Sequence, residues 1–450
     1  MQRKHPSLRG RVRVAARATA LVLLAAVSAC ARRPSHDMSG INPHPVRLVR
    51  PAAGPLSPVA QLGQEIFVDP GLSASGTISC ATCHSPGHAF GPPNDLAVQP
   101  GGKSGHDQGS RAAPSLRYLD RVPDFSIGPE NATVENVKLM PTAARAADVP
   151  RTRKAAGSAA AGAMVPQGGL FWDGRVHTLQ QQAAVPLFNP VEMANASAES
   201  VAGRLRRAAY GPEFVRLFGA GAIATPQRLV DEAMFAVARF QVEDPAFHPY
   251  DSKYDAYLEG RAALSPAESR GLAVFEDPGK GNCAGCHLDQ PAPDGMPPAF
   301  TDYQYEALGV PRNTQLLLNR DPAYFDLGLC GPIRTDLAAL RQYCGMFRTP
   351  SLRNVATRKV FFHNGVYHTL ADVLRFYNLR DVDPAAIFPA PHHGAPLSDR
   401  FNDLPTALRG NVDTLDAPFG RRRGAAPPMT EAELDDLIAL LGTLTDGYPR

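Results

Sequence analysis

The string Cys-x-x-Cys-His occurs twice in this chain, and no other feature restricts its fold so strongly. The copies are Cys80-Ala81-Thr82-Cys83-His84 and Cys283-Ala284-Gly285-Cys286-His287. This is the attachment signature of a c-type haem. Two thiols bond to the vinyl groups of the porphyrin, and the adjacent histidine turns beneath the ring to ligate iron. Two other readings compete. A thioredoxin-like dithiol wants a βαβ context, which is missing here. A zinc ribbon wants its CxxC pairs about 15–20 residues apart, whereas His84 and His287 are separated by 203 residues. Two complete motifs predict two covalent c-type haems, bound through Cys80, Cys83 and His84 and through Cys283, Cys286 and His287. Of the seven cysteines, Cys30, Cys330 and Cys344 remain.

The N-terminus reads as an address. Basic residues up to Arg17 precede an apolar core from Ala18 to Ser28, too short to span a bilayer comfortably and shaped like a secretory signal. It ends Val27-Ser28-Ala29-Cys30, which resembles a bacterial lipoprotein box in which Cys30 becomes lipidated. Ordinary cleavage near Ala29 or Ala31 is the plainer alternative. Residues 1–30 are therefore read as a signal peptide, residues 31–55 as a Pro-, Ser- and Arg-rich tether, and the destination as the periplasm, with a lipid anchor if Cys30 is modified. In that oxidising compartment Cys330 and Cys344, the pair left over, predict a disulfide. The formal charge of +3 comes from the leader: six of the 46 basic residues precede residue 31, leaving 40 basic against 43 acidic side chains. Nothing there points to nucleic acid. A hydrophobic share of 44% and a charged share of 20% exclude a disordered chain, and 450 residues suffice for two or three domains.

The chain also repeats itself. Leu56-Ser57-Pro58, Gly63, Phe67 and Asp69-Pro70-Gly71 precede the first motif, and Leu264-Ser265-Pro266, Gly271, Phe275 and Asp277-Pro278-Gly279 precede the second, every position offset by 208. Ser followed by Pro is an N-cap with Pro at the first helical position, so each block opens a helix, and Asp-Pro-Gly stops it. Each half closes with another helix. One starts at Thr225-Pro226 with Leu229, Ala233, Val237 and Phe240 on one face; the other starts with the capping pattern Thr430 and Glu433, followed by Leu434, Leu437, Ile438 and Leu441. These stripes are core. The expected fold is mainly α: two tandem cytochrome c-like domains, residues 56–250 and 251–450, each wrapped around one haem. No alternating strand pattern is apparent, and Ala143–Gly169 reads as a mobile loop.

With these residues in place the chain resembles the bacterial di-haem cytochrome c peroxidase family, including its MauG-like branch, over roughly residues 55–445. The resemblance rests on the first haem block, on Phe171-Trp172-Asp173-Gly174-Arg175 and Asn189-Pro190-Val191-Glu192-Met193, and on Phe347-Arg348-Thr349-Pro350-Ser351-Leu352-Arg353-Asn354 with His363-Asn364-Gly365. It implies that the haem held by His84 reacts with hydrogen peroxide. It also implies that Gln182, Pro186 and Glu192 lie across that haem, Gln182 orienting peroxide and Glu192 carrying a proton from one peroxide oxygen to the other. A surface carboxylate at a helix start is the plain alternative for Glu192. Trp172, the single tryptophan, matches a relay between the haems, or else packs as a core aromatic. The haem held by His287 would receive electrons, and Tyr377 stands where peroxidases place a Met ligand and the MauG branch a Tyr. No Met is close to it along the chain. Tyrosinate ligation would lower the potential of that haem.

Two departures matter. Peroxidases carry a His that covers the first haem at rest; at the expected spacing this chain has Pro100, and His106 fills the role only with an insertion, otherwise being a solvated loop residue. The family's inter-haem calcium uses an Asn where this chain reads Arg111-Ala112-Ala113-Pro114, and a nearby Thr-x-Pro reads Arg358-Lys359-Val360. That argues against calcium and leaves Arg358 as a candidate substitute cation. Three functions remain: a peroxidase fed by a small cytochrome c or cupredoxin; a MauG-like enzyme that uses peroxide to oxidise side chains of a partner protein; and a di-haem electron carrier without catalysis. Glu192 and Gln182 speak against the carrier. The mass of the mature protein should exceed that of the bare chain by two haem groups, and Cys80→Ala or Cys283→Ala should each remove one, as read by mass spectrometry.

Overall fold

The computed structural model describes residues 40–129, 164–388 and 400–449. The signal segment, Cys30 and most of the expected loop lie outside them. The helices are α1 (Pro58–Val68), α2 (Cys80–Cys83), α3 (Leu179–Phe188), α4 (Ala198–Arg207), α5 (Glu213–Phe218), α6 (Pro226–Glu243), α7 (Lys253–Leu258), α8 (Pro266–Glu276), α9 (Leu370–Leu379), α10 (Pro384–Ile387) and α11 (Glu431–Gly442). Among the described residues, strands are confined to three short antiparallel pairs: β1 (Pro100–Gly101) with β2 (Asp107–Gln108), β3 (Ser126–Pro129) with β4 (Met164–Gln167), and β5 (Tyr305–Glu306) with β6 (Phe347–Arg348). Strand β4 corrects the loop reading at its end, because Met164–Gln167 registers against Ser126–Pro129. No helix among the described residues is long and apolar enough to cross a membrane.

The repeat has a packing reason. In the first half α1 lies against α6, and in the second α8 lies against α11. A Cβ added to Gly63 would sit 1.9 Å from the carbonyl oxygen of Ala236, and one added to Gly271 would sit 2.1 Å from that of Asp436. Each crossing is so close that only glycine fits, which is why glycine recurs at the 208-residue offset. The caps recur too. Ser57 and Ser265 accept from the backbones of Ala60 and Glu268, while Asp69 and Asp277 accept from Gly71 and Gly279. The two crossings seed separate cores. One gathers Leu62, Phe67, Leu229, Val237 and Phe240; the other gathers Tyr254, Leu272, Phe275, Leu434 and Leu441.

The segment read as a tether is docked from residue 40 onward. Val46 N donates to Leu258 O at 2.9 Å, Val49 N donates to Gly295 O at 2.8 Å, and Leu48 is buried in the second core. Arg50 grips Glu259 with two hydrogen bonds, at 2.7 and 3.0 Å. Proline-rich composition hid this, since extended backbone can still pair edge to edge with a loop. Cys330 and Cys344 form the expected disulfide, with Cα atoms 5.0 Å apart.

Gly271→Ala should lower stability by about 1–3 kcal/mol through overpacking, despite the better helix propensity of alanine. Gly442→Ala, at a helical position with nothing within 4 Å, should be neutral or stabilising by up to about 1 kcal/mol. Denaturant unfolding of the two variants checks the contrast.

Candidate active site

Both haem-attachment motifs present their histidines in the same way. His84 N donates to Cys80 O at 2.9 Å and His287 N to Cys283 O at 2.8 Å, so each ring is carried by the turn that spaces the thiols. His84 Nδ1 faces Phe90 O at 3.2 Å, and His287 Nδ1 faces Phe300 O at 2.9 Å. A carbonyl only accepts, so Nδ1 carries the proton and Nε2 keeps its lone pair for a metal. Burial, with a smaller contribution from the nearby Arg358, pushes His84 down to about 4; burial lowers His287 as well. Both imidazoles are neutral, as ligands must be. Burial also pushes Cys80 and Cys283 up to about 12 and Cys83 up to about 11. None of the four cysteines is in a disulfide, and burial disfavours the free thiolate of a reactive dithiol at Cys80, Cys83 and Cys283.

A cavity of about 530 Å³ opens beside the second motif, lined by Cys283, Cys286, His287, Phe275, Tyr377 and Met429 among others. That size falls within the ~300–1,000 Å³ of cofactor pockets, and its walls are mostly apolar. The donor set and the cavity fit a haem. Tyr377 sits on α9 against Phe362, Phe376 and Phe419, stacked on the last at 5.4 Å. Burial drives its phenol well above the ordinary tyrosine value, so the proton leaves only if a cation takes its place. No Met lies near Tyr377 along the chain, but one lines the same cavity. Asn378 exchanges two hydrogen bonds with the Met429 backbone, both of 3.0 Å, and brings Met429 to the same cavity. No spacing along the chain announced this contact.

At the first motif α3 supplies buried Gln182 and, one turn on, Pro186. Proline has no N–H, so the Gln182 carbonyl loses its partner within the helix. The chain then turns at Asn189. Asn189 Oδ1 accepts from Val191 N at 3.2 Å, and its Nδ2 donates to Glu192 Oε1 at 2.5 Å. Gly102 N donates to Glu192 O at 2.7 Å from the β1–β2 hairpin. Glu192 is close enough to Cys83 to raise that thiol. Burial raises the Glu192 carboxyl, against the opposing pull of Arg175 and the Asn189 hydrogen bond. Arg175 is itself fixed by Asp173 at 2.8 Å and lies over the Phe171 ring. Asn189 and Arg175 were visible only as letters of their motifs; their contacts with Glu192 needed the fold.

Trp172 lines the His287 cavity, and its Nε1 donates to Ala112 O at 2.9 Å. Ala112 lies two residues before Pro114, whose carbonyl also meets His84. Trp172 therefore lies on the wall of the second site and bonds to the segment that leads to the first. His106 is exposed on the turn between β1 and β2, and its ring makes no hydrogen bond among the described residues; its backbone N donates to Ser104 Oγ at 3.0 Å. Arg111 does not point at a metal. It forks onto Asp326 at 2.6 and 2.7 Å and reaches Asp173 at 2.7 Å.

The profile described as "Di-haem cytochrome c peroxidase" matches residues 57–263. The methylamine utilization protein MauG of Paracoccus denitrificans is 34% identical over 89% of this chain and 94% of its own. The chain belongs to the di-haem cytochrome c peroxidase/MauG family. The cytochrome c551 peroxidase of Nitrosomonas europaea is 27% identical over 72% of this chain and 74% of its own. The crystal structure of the diheme peroxidase BthA from Burkholderia thailandensis superposes with a TM-score of 0.72 at 38% identity, covering 90% of this chain and 94% of that one. The fold is thus the mainly helical, tandem cytochrome c-like fold, the family carries two c-type haems, and the chain is an oxidoreductase acting on peroxide.

A haem held by Cys80, Cys83 and His84 would supply redox-active iron at this site. Beside Cys83, Glu192 carries a carboxyl that can hold or release a proton, and Asn189 donates to one of its oxygens. A base must be ionised to accept a proton, so peroxide consumption should fall as pH drops through the raised pKa of Glu192, with the acid limb at higher pH than an exposed glutamate gives. Asn189→Ala, which removes a donor to the ionised form, should move that limb further up. Glu192→Gln should retain both haems and lose roughly 10²–10⁴ in rate. Stopped-flow pH profiles of the three proteins decide this; an unchanged rate in Glu192→Gln removes the assignment.

Proposed function

We propose that this protein is an exported di-haem peroxidase that reduces hydrogen peroxide to two waters, consuming two electrons and two protons. Peroxide reacts at the His84 side, where Gln182, Pro186 and Glu192 lie. Electrons arrive at the His287 side from a small cytochrome c or cupredoxin in the periplasm and cross by way of Trp172. The observation that carries the reading is the half-buried Glu192 carboxyl, desolvated and clamped by Asn189 beside the first haem-attachment motif. An electron carrier has no use for an acid–base group there. Export rests on the leader, and lipid anchoring on Cys30.

A second reading is favoured by Tyr377 and by the MauG relative. In it the same peroxide chemistry oxidises side chains of a partner protein, and an anionic phenolate on the second haem holds that haem at low potential. The solved BthA structures include a variant with a tyrosine-to-methionine substitution. Here both residue types reach one cavity, so the ligand is decided by experiment.

Steady-state turnover with peroxide and a reduced small cytochrome should be sustained; without it, the carrier reading takes over. If Tyr377 ligates, Tyr377→Phe changes the ferric spectrum and potential of the His287 haem while Met429→Leu leaves both. The reverse result assigns Met429 and takes away the main support for the MauG-like reading.

A further inference from the structure

Arg358 is a half-buried cation with no carboxylate partner among the described residues. It follows a short turn, Val355–Thr357, in the second half of the chain. Its guanidinium reaches into the first half, where Nη2 donates to Ala113 O at 3.2 Å; Nε meets Val360 O at 3.4 Å. A Cβ built on Gly91 would lie 3.6 Å from Nη1, which places the group against the loop that carries His84 and Phe90. It also lines the cavity of the second motif. Two other arginines on that wall meet carboxylates: Arg117 holds Asp446 at 2.9 Å and Arg353 holds Asp255 at 2.7 Å; Arg348 is turned to the first half's backbone, donating to Gly169 O at 2.9 Å. Among the described residues no carboxylate pairs with Arg358, and its desolvation pushes it down to about 10.

A desolvated guanidinium is costly unless an anion meets it, and its planar fork matches a carboxylate. The protein offers no carboxylate at this place. Each c-type haem brings two, on its propionates. We propose that Arg358 is held for a haem propionate and is the standing cation between the two haem sites, doing there what a bound metal ion would otherwise do. The described residues contain no group of three His, Cys, Asp or Glu side chains that could hold a metal. The inference rests on the two haems and not on what becomes of the peroxide.

The test uses the holoprotein without peroxide, so its failure is separate from failure of the peroxidase reading. A fixed positive charge beside a haem favours the reduced state. Arg358→Met should therefore lower the potential of at least one haem in a spectroelectrochemical titration and shift the propionate bending band in resonance Raman spectra. Arg358→Lys keeps the charge and loses the fork, so it should hold the potential near wild type while still moving the Raman band. If Arg358→Met does not fold, the lysine variant's Raman band decides alone. Elemental analysis should find no stoichiometric calcium, and EGTA should leave both potentials in place. Unchanged Raman bands and potentials in the variants, or one calcium per chain whose removal moves a potential, would overturn the proposal.

Discussion

Each half of this protein depends on one hydrogen bond, from a buried imidazole Nδ1 to a backbone carbonyl. The bond keeps the ring neutral, orients it and leaves Nε2 free. It demands that the Cys-x-x-Cys-His turn meet a second stretch of chain at a set distance: Phe90 six residues after His84, and Phe300 thirteen residues after His287. The rest of each half serves that meeting. The helix before the turn crosses the closing helix at a glycine, and Phe67 and Phe275 fill the space beneath the motif.

The junction between the halves is ionic where the cores are apolar. Asp173, wholly buried, accepts from Arg111 and Arg175, and Arg111 also forks onto Asp326. Arg353 and Asp255 pair with no exposure on either side chain, and Asp446 accepts from Arg117, Tyr118 and Asn354. Removing one partner of such a pair leaves an uncompensated charge, at a cost of about 3–5 kcal/mol. The two family signatures meet here. One tripeptide, Trp172-Asp173-Gly174, supplies the aromatic on the cavity wall and the carboxylate that anchors the junction, so the geometry between the two haem sites is set by charge pairing. Arg358 belongs to this junction and has backbone carbonyls but no carboxylate as partners among the described residues.

Much of the architecture was legible along the chain because it is local. Thiol spacing, helix caps, apolar stripes at 3.6-residue period and the 208-residue repeat are all properties of neighbouring residues. The helices opened by Ser57, Thr225, Ser265 and Thr430 start where their caps predict. The docked segment at residues 40–50 was not legible, since proline-rich composition says nothing of what a strand of chain lies against. Strand β4 was hidden in an Ala- and Gly-rich run for the same reason.

By itself the sequence determined that two thiol pairs and two histidines would each bind one haem, and that the halves would repeat, because covalent spacing and helical period are written residue by residue. It also marked Glu192, Gln182, Trp172 and Tyr377 through the motifs that hold them. Only the tertiary structure decided that Gly102 of the β1–β2 hairpin donates to Glu192, that Met429 shares a cavity with Tyr377, and that no carboxylate among the described residues pairs with Arg358. Those facts depend on which distant segments pack together. Burial and pairing are properties of that packing, and no interval along the chain encodes them.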